Sequence, residues 1–275
     1  MRLATWNVNS VTARLPRLVD WLQRAEPDVL CLQETKVAEF PVAELAALGY
    51  EVAAYGLNRW NGVAIASRVG LADVTRGLPE EPGFPDPEPR AIGATCGGVR
   101  VWSVYVPNGR TPDSPHYGYK LHWLAALRKA LADELRAPGE GTPGSAGAYA
   151  DLVVTGDFNV APADSDVWDP AAFVGSTHVT PAEREAVAAL LTLDLRDIVP
   201  RPLKGDNPFT YWDYRAGMFH QDMGMRIDLV FATAGLAGQA ADAYIDREAR
   251  KGKAPSDHAP VVVDFAARIA AIPEK

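Results

Sequence analysis

The chain has 275 residues, of which 48% are hydrophobic, 23% charged and 9% aromatic, a composition typical of globular proteins that excludes a disordered or fibrous chain. It has a net charge of −8, no apolar run long enough to span a bilayer and no signal-peptide core after Met1, so we expect a cytoplasmic protein without a membrane partner. The negative charge does not exclude a polyanionic partner, because carboxylates that hold a cation add charge that the bound metal offsets.

Apolar runs of strand length recur through the whole sequence, separated by helical patterns. Residues 77–90 and 137–150 are loops by their proline and glycine content, but similar strand-like runs lie on both sides of each. We therefore predict a single domain over residues 1–275. The cysteines Cys31 and Cys96 lie inside apolar runs, which predicts buried thiols rather than a disulfide framework or a metal site.

Four segments have the apolar spacing of helices. "SVTARLPRLVDWLQRAEPD" starts at Ser10, a suitable N-cap, and "FPVAELAALGY" is a short helix closed by Gly49. "SPHYGYKLHWLAALRKALADELRA" is a long amphipathic helix. "TPAEREAVAALLT" begins with a capping box formed by Thr180 and Glu183.

Basic residues give candidates for a local positive surface within this acidic chain. They are found in "REARKGK", residues 247–253, and at Arg59, Arg90, Arg110 and Lys120. Such a surface would attract a phosphate backbone. The alternative is that each is a solvated loop charge.

Six apolar runs have polar side chains at one end. Four early runs end in them and two late runs begin with them, so all six polar clusters reach one rim if the late strands run antiparallel to the early ones. The residues are Asn7 and Asn9, Glu34, Tyr105 and Asn108, Asp157 and Asn159, then Asp228, and finally Asp257 with His258. An Asn or Asp at a strand end can also simply make a turn. Glu34 is the most informative of the set, because Glu is a poor turn residue.

Several carboxylates at one rim predict a cation site, since they cannot all ionise cheaply without one. The ligands would be mainly oxygens with no cysteine, which favours Mg²⁺, with Mn²⁺ as a substitute. Such a metal acts as a Lewis acid on a phosphoryl oxygen, so a phosphate ester is the natural substrate. His258 is the lone base near the cluster and could donate to the phosphate, while Asp157 and Asn159 could orient and deprotonate a water.

The order and spacing of "WNVN", "LQETK", "NGVAIASR", "VYVPNGR", "GDFNVAP", "WDYRAG", "RIDLVFA" and "SDHAPV" resemble the exonuclease III family of apurinic/apyrimidinic endonucleases, from residue 1 to about 268. "GDFN" and "SDH" are shared across the wider endonuclease/exonuclease/phosphatase superfamily, whereas "LQETK" and "WDYRAG" are more specific to the DNA-repair branch. The resemblance implies a four-layer α/β sandwich of the DNase I-like type, with two facing mixed β-sheets flanked by helices.

The resemblance also implies a role for each residue of the rim. Glu34 is expected to be the principal metal ligand, and the full expected metal set is Asn7, Glu34, Asp157, Asn159, Asp257 and His258. The expected catalytic residues are Tyr105, Asp157, Asn159, Asp228 and His258, with Asp228 holding the imidazole that binds the phosphate. The expected substrate contacts are Asn9, Arg90, Asn108, Tyr211, Trp212, Met225 and Ile227.

The pocket for a base-less sugar departs from the family pattern. Tyr211 stands where family members often have a Trp or Phe, and Met225 occupies another pocket position, so the preference for abasic sites and the balance between endonuclease and exonuclease activity stay open. No role is assigned to His116, His122, His178 or His220.

The expected function is a DNA-repair hydrolase that acts 5′ to abasic sites and also has 3′-to-5′ exonuclease and 3′-end-cleaning activity. Its expected partner is double-stranded DNA with abasic sites or blocked 3′ ends, and a monomer is expected. Two alternatives are a superfamily phosphatase acting on inositol phosphates or sphingolipids, and a non-catalytic DNA-binding module. "WDYRAG" disfavours the first, and the completeness of the rim cluster disfavours the second.

Overall fold

A computed structural model describes residues 1–136 and 149–266, and these form thirteen strands and five helices. The strands are β1 Arg2–Asn7, β2 Val29–Gln33, β3 Glu51–Tyr55, β4 Val63–Ser67, β5 Ala72–Arg76, β6 Ala91–Cys96, β7 Val99–Tyr105, β8 Leu152–Asp157, β9 Leu195–Asp197, β10 Arg201–Pro202, β11 Asp228–Thr233, β12 Ala240–Ile245 and β13 Val261–Phe265. The helices are α1 Val11–Ala25, α2 Val42–Ala46, α3 Pro115–Leu135, α4 Pro181–Leu191 and α5 Ala234–Ala237. The predicted loop 137–150 lies outside the described residues except for its last two positions.

The four predicted helices are confirmed, together with their start signals. The Ser10 hydroxyl accepts a hydrogen bond from the backbone N–H of Ala13 at the start of α1. Thr180 and Glu183 form the predicted capping box, in which each side chain accepts from the other residue's backbone N–H. The segment α2 is a single short turn of helix, and Gly49 follows it with φ 84°.

The strands build two mixed sheets that pack face to face. One has the order β10-β12-β13-β1-β2-β4-β3, and the other has the order β5-β6-β7-β8-β11-β9. Side chains such as Leu3 and Ile65 from the first sheet and Val101 and Val153 from the second fill the layer between them.

Helices cover the outer face of each sheet because each apolar helix stripe needs a partner. Trp21 and Leu22 of α1 pack on Trp6 and Leu30 of the first sheet. On the other side, α3 and α4 pack on the second sheet around Trp102. The predicted four-layer α/β sandwich is therefore confirmed.

Strand direction brings the polar strand ends to one rim, as the sequence predicts. In each sheet two early strands are parallel, β1 with β2 and β7 with β8. The late strands β13 and β11 run antiparallel to β1 and β8. Asp228 at the start of β11 is thus directly opposite Asp157 at the end of β8.

Both cysteines have the predicted environment. Cys31 and Cys96 are free, fully buried thiols in the layer between the sheets. No helix in the described ranges is long and apolar enough to cross a bilayer.

The predicted basic surface is only partly present. Arg59 and Arg110 are exposed. Lys120 has no exposed surface, Arg90 is 8% exposed and Arg250 is 5% exposed, so the interpretation of these three as surface charges is wrong. In each case neighbouring helices or loops cover a cationic side chain that composition alone cannot distinguish from a solvated one.

Gly156 in β8 lies one residue before Asp157 and has φ 145°, a conformation that side chains disfavour. A Cβ atom at this position would stand 2.0 Å from the carbonyl oxygen of Val104 in the parallel strand β7. The close approach of these two strands therefore requires glycine.

We predict that Gly156→Ala destabilises the protein by on the order of 3 kcal/mol or more, because backbone rather than a flexible side chain blocks the new methyl group. Gly118→Ala is the matched control, since Gly118 lies inside α3 and its Cβ would meet nothing within 4 Å. There the substitution should stabilise the helix by up to about 1 kcal/mol. Urea unfolding of both variants is the measurement, and equal effects of the two substitutions would contradict the prediction.

Candidate active site

Five polar side chains from both sheets meet at the predicted rim. Asn7 ends β1, Glu34 follows β2, Asp157 ends β8, Asp228 begins β11 and His258 precedes β13. All are buried except Glu34, which is half-buried. The rim is therefore a polar cluster supported by apolar strands that end directly beneath it.

Asn7 bridges two carboxylates from opposite sheets. Its Nδ2 donates to Glu34 Oε1 at 2.8 Å and to Asp157 Oδ2 at 2.9 Å, while its Oδ1 accepts from the backbone N–H of Asn9 at 3.0 Å. The amide therefore presents donors, not its oxygen, to the cluster. The predicted role of Asn7 as an oxygen ligand of a metal does not fit this orientation.

His258 is held between two carboxylates. Its Nδ1 lies 2.7 Å from Asp228 Oδ2, and its Nε2 lies 3.7 Å from Asp157 Oδ2. Burial alone would lower the pKa of His258, but Asp228 and Asp157 outweigh it and raise the pKa to about 10. The imidazole is therefore a cation that donates from both ring nitrogens, which fits a phosphate-binding group better than the predicted metal ligand.

Glu34 and Asp157 differ in their affinity for a proton. Burial and the like charges of Asp228 and Glu34 raise the pKa of Asp157, against the opposing effect of His258. Burial would also raise the pKa of Glu34, but the Lys36 ammonium 2.7 Å from Oε2 keeps it below its usual value. Asp157 is therefore the better proton acceptor of the two carboxylates, and Glu34 stays ionised.

The cluster fits a hard divalent cation. Glu34, Asp157 and His258 each offer one ligand atom, and these atoms lie within 4.8 Å of one another. Carboxylate oxygens are the donors that Mg²⁺ and Mn²⁺ prefer. Because His258 is committed to Asp228, the residues suited to hold the ion are Glu34 and Asp157.

Two further predicted metal ligands lie outside this group. Asp257 accepts a hydrogen bond from Asn9 Nδ2 at 3.0 Å, and Asn9 Oδ1 accepts from Lys36. Asn159 donates from Nδ2 to the carbonyl of Val106 at 2.9 Å. Both support neighbouring loops, and the backbone N–H of Asn159 donates to Asp157 Oδ1 at 2.9 Å.

Tyr105, a predicted catalytic residue, lies beside the two carboxylates. Burial and the charges of Glu34 and Asp157 raise the pKa of its phenol, which therefore stays protonated and can donate. Arg90 lies under the Tyr105 ring, with its guanidinium carbon 4.8 Å from the ring centroid, and pairs with Glu88. Arg90 is thus placed to support Tyr105 from below.

A pocket of about 400 Å³ opens next to the rim. Asn108, Tyr211 and Met225 line it as predicted, and the Tyr211 ring centroid is 4.9 Å from that of His258. Trp212 is fully buried with its indole N–H directed to Asp222, so the prediction that it contacts substrate does not fit its position. Ile227 is 2% exposed and packs behind Met225 rather than at the surface.

His178 also lines this pocket, although sequence reasoning gave it no role. Its Nδ1 lies 2.5 Å from the carbonyl oxygen of Asn159, and its Nε2 lies 3.5 Å from Asn108 Nδ2. The sequence does show that His178 lies two residues before the Thr180 N-cap, and therefore in the loop directly before α4.

A buried ion pair supports the loops of the site. Lys120 Nζ lies 2.5 Å from Glu183 Oε1 with neither side chain exposed, and it also donates to the carbonyl oxygens of Asn159 and Asn108. Lys120 lies four and seven residues before Leu124 and Leu127, so its place on the buried stripe of α3 was visible in the sequence. One ammonium group thus ties together the loops that follow β7 and β8.

We expect Lys120→Met to destabilise the protein by about 3–5 kcal/mol, because it leaves the Glu183 carboxylate buried without its partner. The double variant Lys120→Met/Glu183→Gln should be more stable than Lys120→Met alone, since Gln removes the charge and keeps an acceptor for the backbone N–H of Thr180 at the N-cap of α4. Denaturant unfolding of wild type, Lys120→Met, Glu183→Gln and the double variant measures the four free energies of unfolding. Losses that simply add would mean that the pair is not energetically coupled.

We expect Asp228→Asn to lower the pKa of His258, because one of the two carboxylates that oppose the effect of burial is gone. The His258 imidazolium should then lose its proton at a lower pH than in the wild-type protein. The measurement is the NMR titration of the His258 ring in metal-free protein, with Asp20→Asn, an exposed position on α1, as control. An unchanged titration in Asp228→Asn would mean that Asp157 alone sets the charge.

Comparison with known proteins gives the family of the chain. Residues 4–258 match the model of the Endonuclease/Exonuclease/phosphatase family. The chain is 28% identical to exodeoxyribonuclease III of Haemophilus influenzae, covering 96% of this chain and 100% of that one. It is 39% identical to the 3′ phosphatase NExo from Neisseria, solved with a product DNA hairpin, with TM-score 0.88 and coverage of 97% and 100%. It is 36% identical to an AP endonuclease from Archaeoglobus fulgidus, with TM-score 0.85 and coverage of 97% and 100%. The chain therefore belongs to the Endonuclease/Exonuclease/phosphatase family, in its exonuclease III and AP endonuclease branch, and is a hydrolase that acts as a DNA-repair nuclease.

Proposed function

We propose that the protein hydrolyses the P–O3′ bond of duplex DNA with Mg²⁺, or Mn²⁺ as a substitute, both 5′ to abasic sites and at blocked 3′ ends. The observation that carries this proposal is the meeting of Glu34, Asp157 and His258, with ligand atoms within 4.8 Å of one another. An ionised carboxylate, a proton acceptor and a cationic donor are the three groups that metal-assisted phosphoryl transfer requires.

One bond accounts for all the proposed activities. Incision 5′ to an abasic site, release of a 3′ phosphate and stepwise removal of 3′ nucleotides each transfer phosphorus from O3′ to water. The same attacking and leaving groups serve each substrate, and only the group on the far side of the phosphorus changes. A single catalytic cluster with one adjoining pocket is therefore sufficient.

In the proposed mechanism Asp157 takes a proton from the attacking water, as its raised pKa favours. The Nε2–H of His258 donates to a non-bridging phosphoryl oxygen, and Asp228 keeps the imidazole oriented and charged. The protonated phenol of Tyr105 donates to the same phosphate. A divalent cation bound at Glu34 would stabilise negative charge on the phosphoryl oxygen and on the leaving O3′.

The pocket beside His258 is proposed to receive the sugar on the 5′-phosphate side of the cut. Tyr211 and Met225, together with Trp168 and Phe173, give it an aromatic and apolar wall. Base edges carry no information about a missing base, so shape rather than hydrogen bonding to a base would select the abasic residue. His178 and Asn108, which also line the pocket, would limit the size of the group admitted.

The test uses three labelled duplexes, which carry an abasic-site analogue, a 3′ phosphate at a nick, and an intact 3′ end. We expect each to yield a 3′-hydroxyl with Mg²⁺ and no product with EDTA. Glu34→Gln should cut the rate on the order of 10² or more, the scale of losing one preorganised electrostatic group. Glu39→Gln, a nearby exposed acid, is the matched control.

Products that carry a 3′ unsaturated aldehyde, or cleavage that survives EDTA, would contradict the proposal. The relative rates on the three duplexes decide which lesion is preferred. Size-exclusion chromatography of the active protein tests the monomer that we propose.

A further inference from the structure

Three arginines of the described chain are partly or fully buried and have no carboxylate partner. They are Arg14, Arg17 and Arg250. Every other described arginine or lysine that is not exposed pairs with an acid, for example Arg100 with Glu134. Burying a charge without a partner is costly, so their meeting in one place needs a reason.

Arg250 makes little use of its donors. Of its five N–H groups, Nη2 donates to the carbonyl oxygen of Trp212 at 2.8 Å, and buried Nε has no partner in the described structure. Its guanidinium carbon lies 4.9 Å from the ring centroid of Tyr214 and 5.1 Å from that of Phe219. The rings hold the planar group in position but accept none of its hydrogen bonds.

Arg14 and Arg17 of α1 fix the loop that carries Arg250. Arg14 Nη2 donates to the Tyr214 hydroxyl at 2.9 Å and to the Pro255 carbonyl at 3.2 Å. Arg17 donates to backbone carbonyls in residues 249–253. The buried Nε atoms of both also have no partner in the described structure. Helix and loop thus form a rigid, positively charged frame.

A pocket of about 260 Å³ opens on this frame, lined by Arg250, Tyr214, Lys251 and Pro255 among others. It shares Asp213 and Met218 with the pocket beside His258, so the two adjoin. The acid in its wall, Asp213, is already paired with Arg215 at 2.6 Å. Nη1 of Arg250 makes no hydrogen bond within the described residues, so its two N–H groups remain for an outside oxyanion.

We propose that this pocket binds a backbone phosphate of the DNA strand, distinct from the phosphate that is cut. The inference rests on the proposed function. A guanidinium with unused donors matches the geometry of a phosphate, and successive phosphates repeat every 3.4 Å of helix axis along one strand. A strand with one phosphate at His258 thus brings others to the adjoining pocket.

The test compares Arg250→Gln with wild-type protein on the abasic duplex over a range of salt concentrations. We expect KM to rise about tenfold, the scale of one lost charge-assisted contact. The slope of log KM against log salt should fall by about 0.9, the value for one phosphate contact. The kcat should change little. Arg128→Gln is the control, because Arg128 also donates to a backbone carbonyl oxygen, that of Ala189, but lies on α3 away from the rim.

Direct binding separates this proposal from the proposed function. Fluorescence anisotropy of a labelled duplex with EDTA present measures binding without catalysis. If wild-type protein is inactive in the cleavage assay but Arg250→Gln still binds the duplex more weakly than wild type does, the proposed function is wrong and the phosphate site is supported. Equal affinity and salt slope in wild type and Arg250→Gln would overturn the phosphate site. So would a rise in melting temperature with inorganic phosphate that Arg250→Gln abolishes while DNA binding stays unchanged, since that marks a free-anion site.

A further variant covers misfolding of Arg250→Gln. Arg250→Lys keeps the charge but not the fork, so it should retain the salt slope and lose only part of the affinity. If Arg250→Gln does not fold, an affinity of Arg250→Lys equal to that of wild type overturns the proposal, and a partial loss of affinity at an unchanged salt slope supports it.

Discussion

The site depends on keeping three carboxylates, Glu34, Asp157 and Asp228, side by side at the end of a sealed apolar core. Their mutual repulsion is offset by groups that the fold supplies: the Asn7 amide donates to two of them, and His258 contacts the third. Lys36 adds a second cation at Glu34. These partners lower the pKa of Glu34 while that of Asp157 is raised, and this inequality is what a reaction with a base and a charged ligand needs.

The two sheets meet this requirement with one arrangement used twice. Read from opposite edges, β3-β4-β2-β1-β13-β12 and β5-β6-β7-β8-β11-β9 have the same sequence of parallel and antiparallel neighbours. The central strands β1 and β8 end in Asn7 and Asp157, and the late strands begin near His258 and Asp228. The similarity of "WNVN" and "GDFN" in the sequence thus reflects a repeated topology. Each half contributes one side of the cluster.

The strand ends could be predicted from the sequence because an apolar run that stops at a polar group is a local signal. It could not determine side-chain orientation, which depends on partners far along the chain. Asn7 directs its NH₂ to the carboxylates of Glu34 and Asp157. These residues lie 27 and 150 positions away in the sequence, so the orientation of the amide has no local signal. Tyr211 and Trp212 were both expected to touch substrate, but neighbours in an extended segment point to opposite sides, and only Tyr211 lines the pocket. The spacing of Lys120 from Leu124 and Leu127 already indicates a buried position, but its partner Glu183 lies 63 residues away and could not be identified from the sequence.

The charge distribution explains how an acidic chain can suit an acidic polymer. Net charge counts every acid equally, although many are neutralised locally, as Asp166 and Asp197 are by Arg226. A ligand therefore interacts with the charge that remains unpaired at its own binding site, not with the net charge of the chain. In the described structure Arg250, a covered cation without an acid partner, lines a pocket that adjoins the one beside His258, and Arg14 and Arg17 hold the loop that carries it. A desolvated guanidinium held by two rings also loses little entropy on binding, so it can favour a phosphate more than a mobile surface lysine does. The net charge of −8 therefore says little about the pocket at Arg250, where the acid in the wall, Asp213, is already paired with Arg215.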